Sequence, residues 1–239
     1  MRSALLLLIP GLVLARPVIQ QVDDGTINWT TREVRVNGVG TPVILSHTGA
    51  ATPRDPYEQA KDDARVRIAR VLEGLPVDHR KASEVAALES IFSSTVRGYR
   101  ADAPLHFSDG TVHLPATASF AWGPALAGPP VPQPANAPTG LVITLAAPHE
   151  PRMRLTLSAP GAPTVVAGLP GDLVGAAGVI WVTEAAEATH LVGPRPVVCT
   201  ATPGPRAGTL VLDAAGAAAL KHPGGVQGGL AIVLPQPKK

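Results

Sequence analysis

The sequence predicts an α+β protein in which two helices pack on an antiparallel sheet and a smaller, β-rich α+β domain follows. Three observations lead there. Residues 22–123 hold an alternating apolar–polar segment, two stretches of helical periodicity and a hairpin signal. A sixteen-residue run, "GPALAGPPVPQPANAP", then carries six prolines. That is the composition of an extended, semi-rigid linker, and it places a boundary at residues 124–138. Beyond it, residues 139–235 show seven short β-like runs and only two stretches of helical composition.

The chain opens with "MRSALLLLIPGLVLA", one arginine and then about a dozen mostly apolar residues ending in Val-Leu-Ala. Residues 1–15 thus have the layout of a secretory signal, too short to span a bilayer as a helix, with cleavage expected after Ala15. No cysteine follows the apolar run to carry a lipid. "GTINWTTREVRVNGVG" alternates and predicts one or two antiparallel strands. Ile27, Trp29 and Thr31 share a face, while Val34 and Val36 share another or continue the first after a bulge.

After the breakers Gly49, Pro53 and Pro56 comes the clearest helix, "DPYEQAKDDARVRIARVLEGLP". Asp55 is its N-cap, Pro56 its first residue and Glu58 the third position of a capping box. Tyr57, Ala60, Ala64, Ile68, Val71, Leu72 and Leu75 form one apolar stripe, and Gly74 and Pro76 stop it. "KASEVAALESIFSSTVRGYR" predicts a weaker helix with Val85, Leu88, Ile91, Phe92 and Val96 on its apolar side. "LHFSDGTVHL" then reads as a hairpin with a two-residue Asp109-Gly110 turn, which sets His106 opposite His113.

In the second half, "TGLVITL", "MRLTLS", "PTVVAG", "GVIWVT", "RPVVCTA", "TLVLD" and "GLAIVL" predict strands. "EAAEATHL" and "DAAGAAALK" predict helices, the second capped by Asp213.

Composition narrows function more than it names it. A net charge of +2, with basic residues spread along the chain, excludes a phosphate-tracking surface and hence nucleic acid as a partner. The fifteen arginines against five lysines, with 24 Gly and 26 Pro, reflect a GC-rich coding bias rather than an arginine-specific role. The single cysteine, Cys199, makes no internal disulfide and sits in an apolar run as a small hydrophobe.

"INWTTREVRVNGVGTP", "AKDDARVRIARVLEGLPVD" and "STVRGYRADAPLHFSDGTVHL" together resemble the N-terminal domain of a family of exported proteins of deltaproteobacteria and myxobacteria. That envelope-lipoprotein-like domain is similar to the N-terminal domain of flagellar assembly protein T. The second half, with "PTGLVI", "RPVVCTA" and "TLVLDAAGAAAL", resembles the companion domain of those proteins. The resemblance implies helices on an antiparallel sheet and an envelope location, and it implies no catalytic residues. The chain departs from it in lacking a lipid-bearing cysteine, in its proline-rich linker, and in "VITLAAPHEP", where acidic residues are common in the family.

His106 and His113 are the candidate metal ligands, since cross-strand hairpin partners stand about 5 Å apart at Cβ. Only Ser108, Asp109 and Thr111 lie near enough in sequence to complete a site that needs three or four ligands, so the pair reads first as surface decoration. His47, His79, His149, His190 and His222 are scattered. Adjacent Asp62 and Asp63 point about 100° apart on the helix and read as a solvated ion-pair face, with Asp63 four residues before Arg67. No Gly-x-Ser-x-Gly elbow occurs, and "HPGGVQGG" lacks the lysine and helix of a phosphate loop. Trp29, Trp122 and Trp181 read as core anchors.

The expected protein is therefore a non-enzymatic one without a cofactor, periplasmic or exported, with association to the outer membrane among the options. It works through contacts with an unidentified envelope protein. The alternative is a metal-ion or small-molecule module that uses the His106/His113 face or a cleft between the domains.

Overall fold

The computed structural model describes residues 16–42, 54–121, 138–169, 172, 178–221 and 229–235. Residues 1–15, all of the proline-rich run except Pro138, and His47, Trp122 and His222 lie outside the described residues. The described chain combines helices with two sheets, an α+β composition.

The first sheet runs in the order β1 (Ile19–Val22), β2 (Gly25–Asn28), β3 (Glu33–Gly40), β6 (Val112–Ser119) and β4 (Arg100–Ala101), and β5 (Leu105–His106) also pairs with β6. Every pairing in it is antiparallel. Strand β1 escapes the sequence pattern because "IQQV" offers too little alternation; it forms because Asp23-Asp24 turns the chain back and pairs Val22 with Gly25.

Helix α1 (Pro56–Gly74) forms as its sequence dictates. The Asp55 carboxylate accepts from the Tyr57 amide at 2.9 Å, Pro56 starts the helix, and Ala60, Ala64, Ile68, Val71 and Leu72 are buried. The third-position Glu58 turns outward to Lys61 at 3.0 Å. The first half of the helix, at Pro56, Ala60 and Ala64, meets glycines on the sheet. A Cβ added at Gly40 would stand 1.8 Å from the Pro56 carbonyl oxygen, and one at Gly38 2.1 Å from that of Ala60. The Gly-x-Gly of "VNGVG" is thus a helix-docking notch, where backbone meets backbone because neither glycine carries a side chain.

The expected second helix is shorter than its pattern. Two single 3₁₀ turns, Ala82–Glu84 and Ala86–Leu88, precede α2 (Glu89–Arg97). Val85 between them sits in extended backbone at φ −114°, so the periodicity of 85–96 covers a break.

All seven apolar runs of the second half are strands: β7 (Gly140–Leu145), β8 (Leu155–Ser158), β9 (Val165–Ala167), β10 (Val179–Val182), β11 (Pro196–Pro203), β12 (Thr209–Leu212) and β13 (Leu230–Val233). Their order is β10-β13-β7-β11-β12-β8-β9. Four pairings are parallel and two antiparallel. Helix α3 (Ala185–Leu191) covers one face through Val142, Ile180, Val182, Ala231 and Val233. Helix α4 (Ala214–Leu220) lies on the other face, over β11 and β12, with Asp213 accepting from the Gly216 amide at 3.0 Å.

The two sheets share one hydrophobic core. Trp29, Ile68 and Leu72 of the first half and Leu141, Leu155 and Trp181 of the second belong to the same buried cluster. Backbone bonds stitch the junction, Met153 N to Pro76 O at 2.9 Å and Arg154 N to Val77 O at 2.8 Å. The Thr30 hydroxyl accepts from the Val18 amide at 2.9 Å and donates to the Trp181 carbonyl at 2.7 Å.

Candidate functional site

A cleft of about 520 Å³ opens at this junction. Four pieces of chain build it: the β1–β2 turn (Asp23, Asp24), the last turns of α1 (Arg70, Val71, Gly74), the turn that follows α1 (His79, Arg80, Lys81, Glu84), and Glu150 and Arg152 from the segment after β7. The 76–81 turn is closed by bonds from Val77 N to Arg80 O (3.0 Å) and from Ala82 N to Leu75 O (2.9 Å), which present three basic side chains in a row. The fourth piece enters at the carboxyl end of β7, a parallel strand.

Most charges at the junction are already matched. Arg80 grips Asp78 with two side-chain bonds, 3.1 and 2.9 Å, and its amide adds a third at 3.0 Å. These bonds hold the Asp78 carboxyl at about 2 against the upward push of its burial. The mostly buried Arg152 guanidinium donates to the Asp78 carbonyl across the junction and to Glu150 at 2.7 Å. Arg154 forks onto Asp172 at 2.6 and 3.0 Å. Asp24 lies 3.8 Å from both Arg67 and Arg70, and Arg67 is also held by Asp63 at 2.7 Å. Beside the cleft, the His149 ring stacks on Trp181 with centroids 6.1 Å apart. Burial first, and the nearby Arg152 second, push its pKa below the usual imidazole value.

The histidine hairpin is a correction. Leu105 pairs with His113 and His106 with Val112, one residue out of the expected register. The cause is the turn. Phe107 N donates to Thr111 O at 2.9 Å and Gly110 N to Phe107 O at 3.0 Å, with Gly110 at φ +84°. Ser108-Asp109-Gly110 is therefore a three-residue loop whose glycine takes the left-handed position, rather than a two-residue turn. A one-residue shift moves one histidine to the other face. His106 lies on the helix-facing side at the rim, whereas His113 lies on the open side, against Phe107 (ring centroids 4.6 Å apart) and 3.1 Å from Asn37 Nδ2. The cross-strand juxtaposition that made them joint metal ligands is not formed. Among the described residues no group of three or more His, Cys, Asp and Glu is placed to hold a metal ion.

On that open face the new register lines up Val39, His113 and Leu105 across three strands, with Phe107 packed on His113. Leu105 and Phe107 are 55% and 48% exposed, an apolar patch that alternation alone could not reveal.

Other singled-out residues settle into structural roles. Asp62 pairs with Arg65 at 3.0 Å and with Arg54, and Asp63 pairs with Arg67 while accepting from the Val39 amide at 2.8 Å. Cys199 is buried, and burial, with Asp213 nearby, pushes its thiol up to about 12, so it is no nucleophile at neutral pH. Trp29 and Trp181 are fully buried, as core anchors should be. The cleft was legible only in part: "DHRK" at 78–81 is a compact charged run, but the return of Glu150 and Arg152 to it depends on tertiary folding.

No family model, curated protein or solved structure matches the chain. Among the described residues no helix is long and apolar enough to cross a membrane.

Proposed function

We propose that this is a non-enzymatic exported protein of the bacterial envelope, periplasmic or held at the outer membrane, that acts by binding another envelope protein. The observation that carries the reading is the patch of Val39, Leu105 and Phe107 on the open face of the first sheet. Large apolar side chains that neighbour one another on a sheet face mark a docking surface more often than isolated ones do. The signal-like residues 1–15 and the resemblance to envelope-lipoprotein-like domains support the location. The non-enzymatic part rests on the matched charges at the junction and on the buried, unreactive Cys199.

The test is cross-linking in intact cells followed by recovery of the full-length chain, comparing wild type with Leu105→Asp/Phe107→Asp. Both side chains are half-exposed, so the variant is expected to fold and melt like wild type. The reading expects one dominant adduct that the variant loses. An adduct pattern unchanged by the substitutions contradicts it.

A further inference from the structure

The cleft at the junction carries an inference that stands apart from the docking patch. Its matched charges leave a remainder. Lys81, Asp23 and Glu84 line the cleft, all three exposed, and none makes a side-chain hydrogen bond or ion pair among the described residues. Arg70 is nearly in the same condition. It is 63% exposed and, among the described residues, reaches only Asp24, at 3.8 Å, a carboxylate it shares with Arg67. The groups without a close partner are therefore two cations and two carboxylates on one cavity, of which Glu84 also feels the charge of Arg80.

The floor between them is apolar, with Ile27 and Val71 buried and Val22 and Pro76 beside them. A volume of about 520 Å³ falls within the range of small-molecule sites. A ligand bearing one sign of charge would satisfy half of these groups and be repelled by the rest. A ligand bearing both, with an apolar body, would complement all of them.

We propose that the cleft binds a zwitterionic ligand of the amino-acid or short-peptide class. Its free carboxylate sits at Lys81 and Arg70, its ammonium group at Asp23 and Glu84, and its apolar side chains lie over Ile27 and Val71. Glu150 and Arg152 close the cleft from the segment between β7 and β8, so the site exists only when the two halves are joined. The partner-binding reading does not depend on this site, and either can fail alone.

The experiment is calorimetric titration of the full chain with the dipeptide Leu-Leu, with its N-acetylated form and with its C-terminal amide. Leu-Leu is expected to bind at about millimolar or tighter dissociation constant, and blocking either terminus is expected to weaken it about ten-fold. Lys81→Met should weaken Leu-Leu about ten-fold while leaving the amide unaffected, and Asp23→Asn/Glu84→Gln should do the same with respect to the acetylated form. These residues are exposed, so unchanged thermal unfolding of the variants is the folding control. No heat from Leu-Leu at millimolar concentration, or binding indifferent to the blocked termini and to these substitutions, overturns the proposal.

Discussion

The two sheets bury themselves by different means. Among the described residues the first is strictly antiparallel and keeps one face open; its other face takes the long helix α1, drawn onto the backbone by Gly38 and Gly40. The second is mixed, and its parallel strands β10, β13 and β7 are covered on both sides, by α3 on one and by the shared core on the other. The contrast shows in the sequence. "VIWV" and "LAIV" are buried at every position, whereas β3 alternates buried and exposed along "EVRVNGVG". It also shows why the candidate surfaces fall where they do. A sheet with a free face can display Leu105 and Phe107, while a sheet wrapped on both faces meets the first half through its buried face, and the cleft forms beside that contact, where Glu150 and Arg152 meet the turn after α1.

The sharpest way to break this comparison is to fill the notch in the first sheet. Gly40→Val sets a side chain against the Pro56 carbonyl and is expected to cost more than about 4 kcal/mol or to prevent folding, read by urea unfolding. The junction comes next. Trp181→Ala should cost about 3–5 kcal/mol, whereas Trp181→Phe, which loses chiefly the 2.9 Å bond from Nε1 to the Arg152 carbonyl, should cost about 1–2 kcal/mol.

A smaller effect is expected from Asp78→Asn, about 1–2 kcal/mol at pH 7, because Arg80 loses its charged partner. Its pH dependence has a fixed sign. The folded carboxyl titrates at about 2 and the unfolded one near the ordinary 3.9, so its contribution is complete above pH ~4 and fades as pH falls through 2. Wild type and variant should therefore converge in acid.

The smallest effect belongs to His149. Its folded pKa lies below the ordinary value of about 6.5, so stability is full above that pH and declines as pH falls through the folded value. His149→Phe keeps a ring on Trp181 and removes the titration. The difference between wild type and variant should grow by less than about 1 kcal/mol from pH 7 to pH 5, with wild type losing.

Much of the fold was legible because its signals are local. The stripe from Tyr57 to Leu75 repeats over five turns of α1 with a cap at its start, and each of the seven second-half strands is a dense apolar run between breakers. What escaped depends on geometry that composition does not encode. The break at Val85 interrupts a pattern whose periodicity passes straight through it. The hairpin register turned on whether Gly110 ended a two-residue turn or a three-residue loop, and Asp-Gly suits both. The cleft needed residues 20–84 to meet 150 and 152, and no local signal in "HEPRMR" announces that its arginines cross to Asp78.

The central claim is that both sheets fold as one body around the Trp29–Trp181 core, with the cleft as a product of that union. Native-state hydrogen exchange on the full chain, read separately on peptides from β3 and β6 and from β7 and β13, tests it most directly. The account expects the slowest amides of both sheets to exchange with the same opening free energy and to be destabilised together by Trp181→Ala. Distinct opening free energies, with β3 and β6 indifferent to Trp181→Ala, would contradict it.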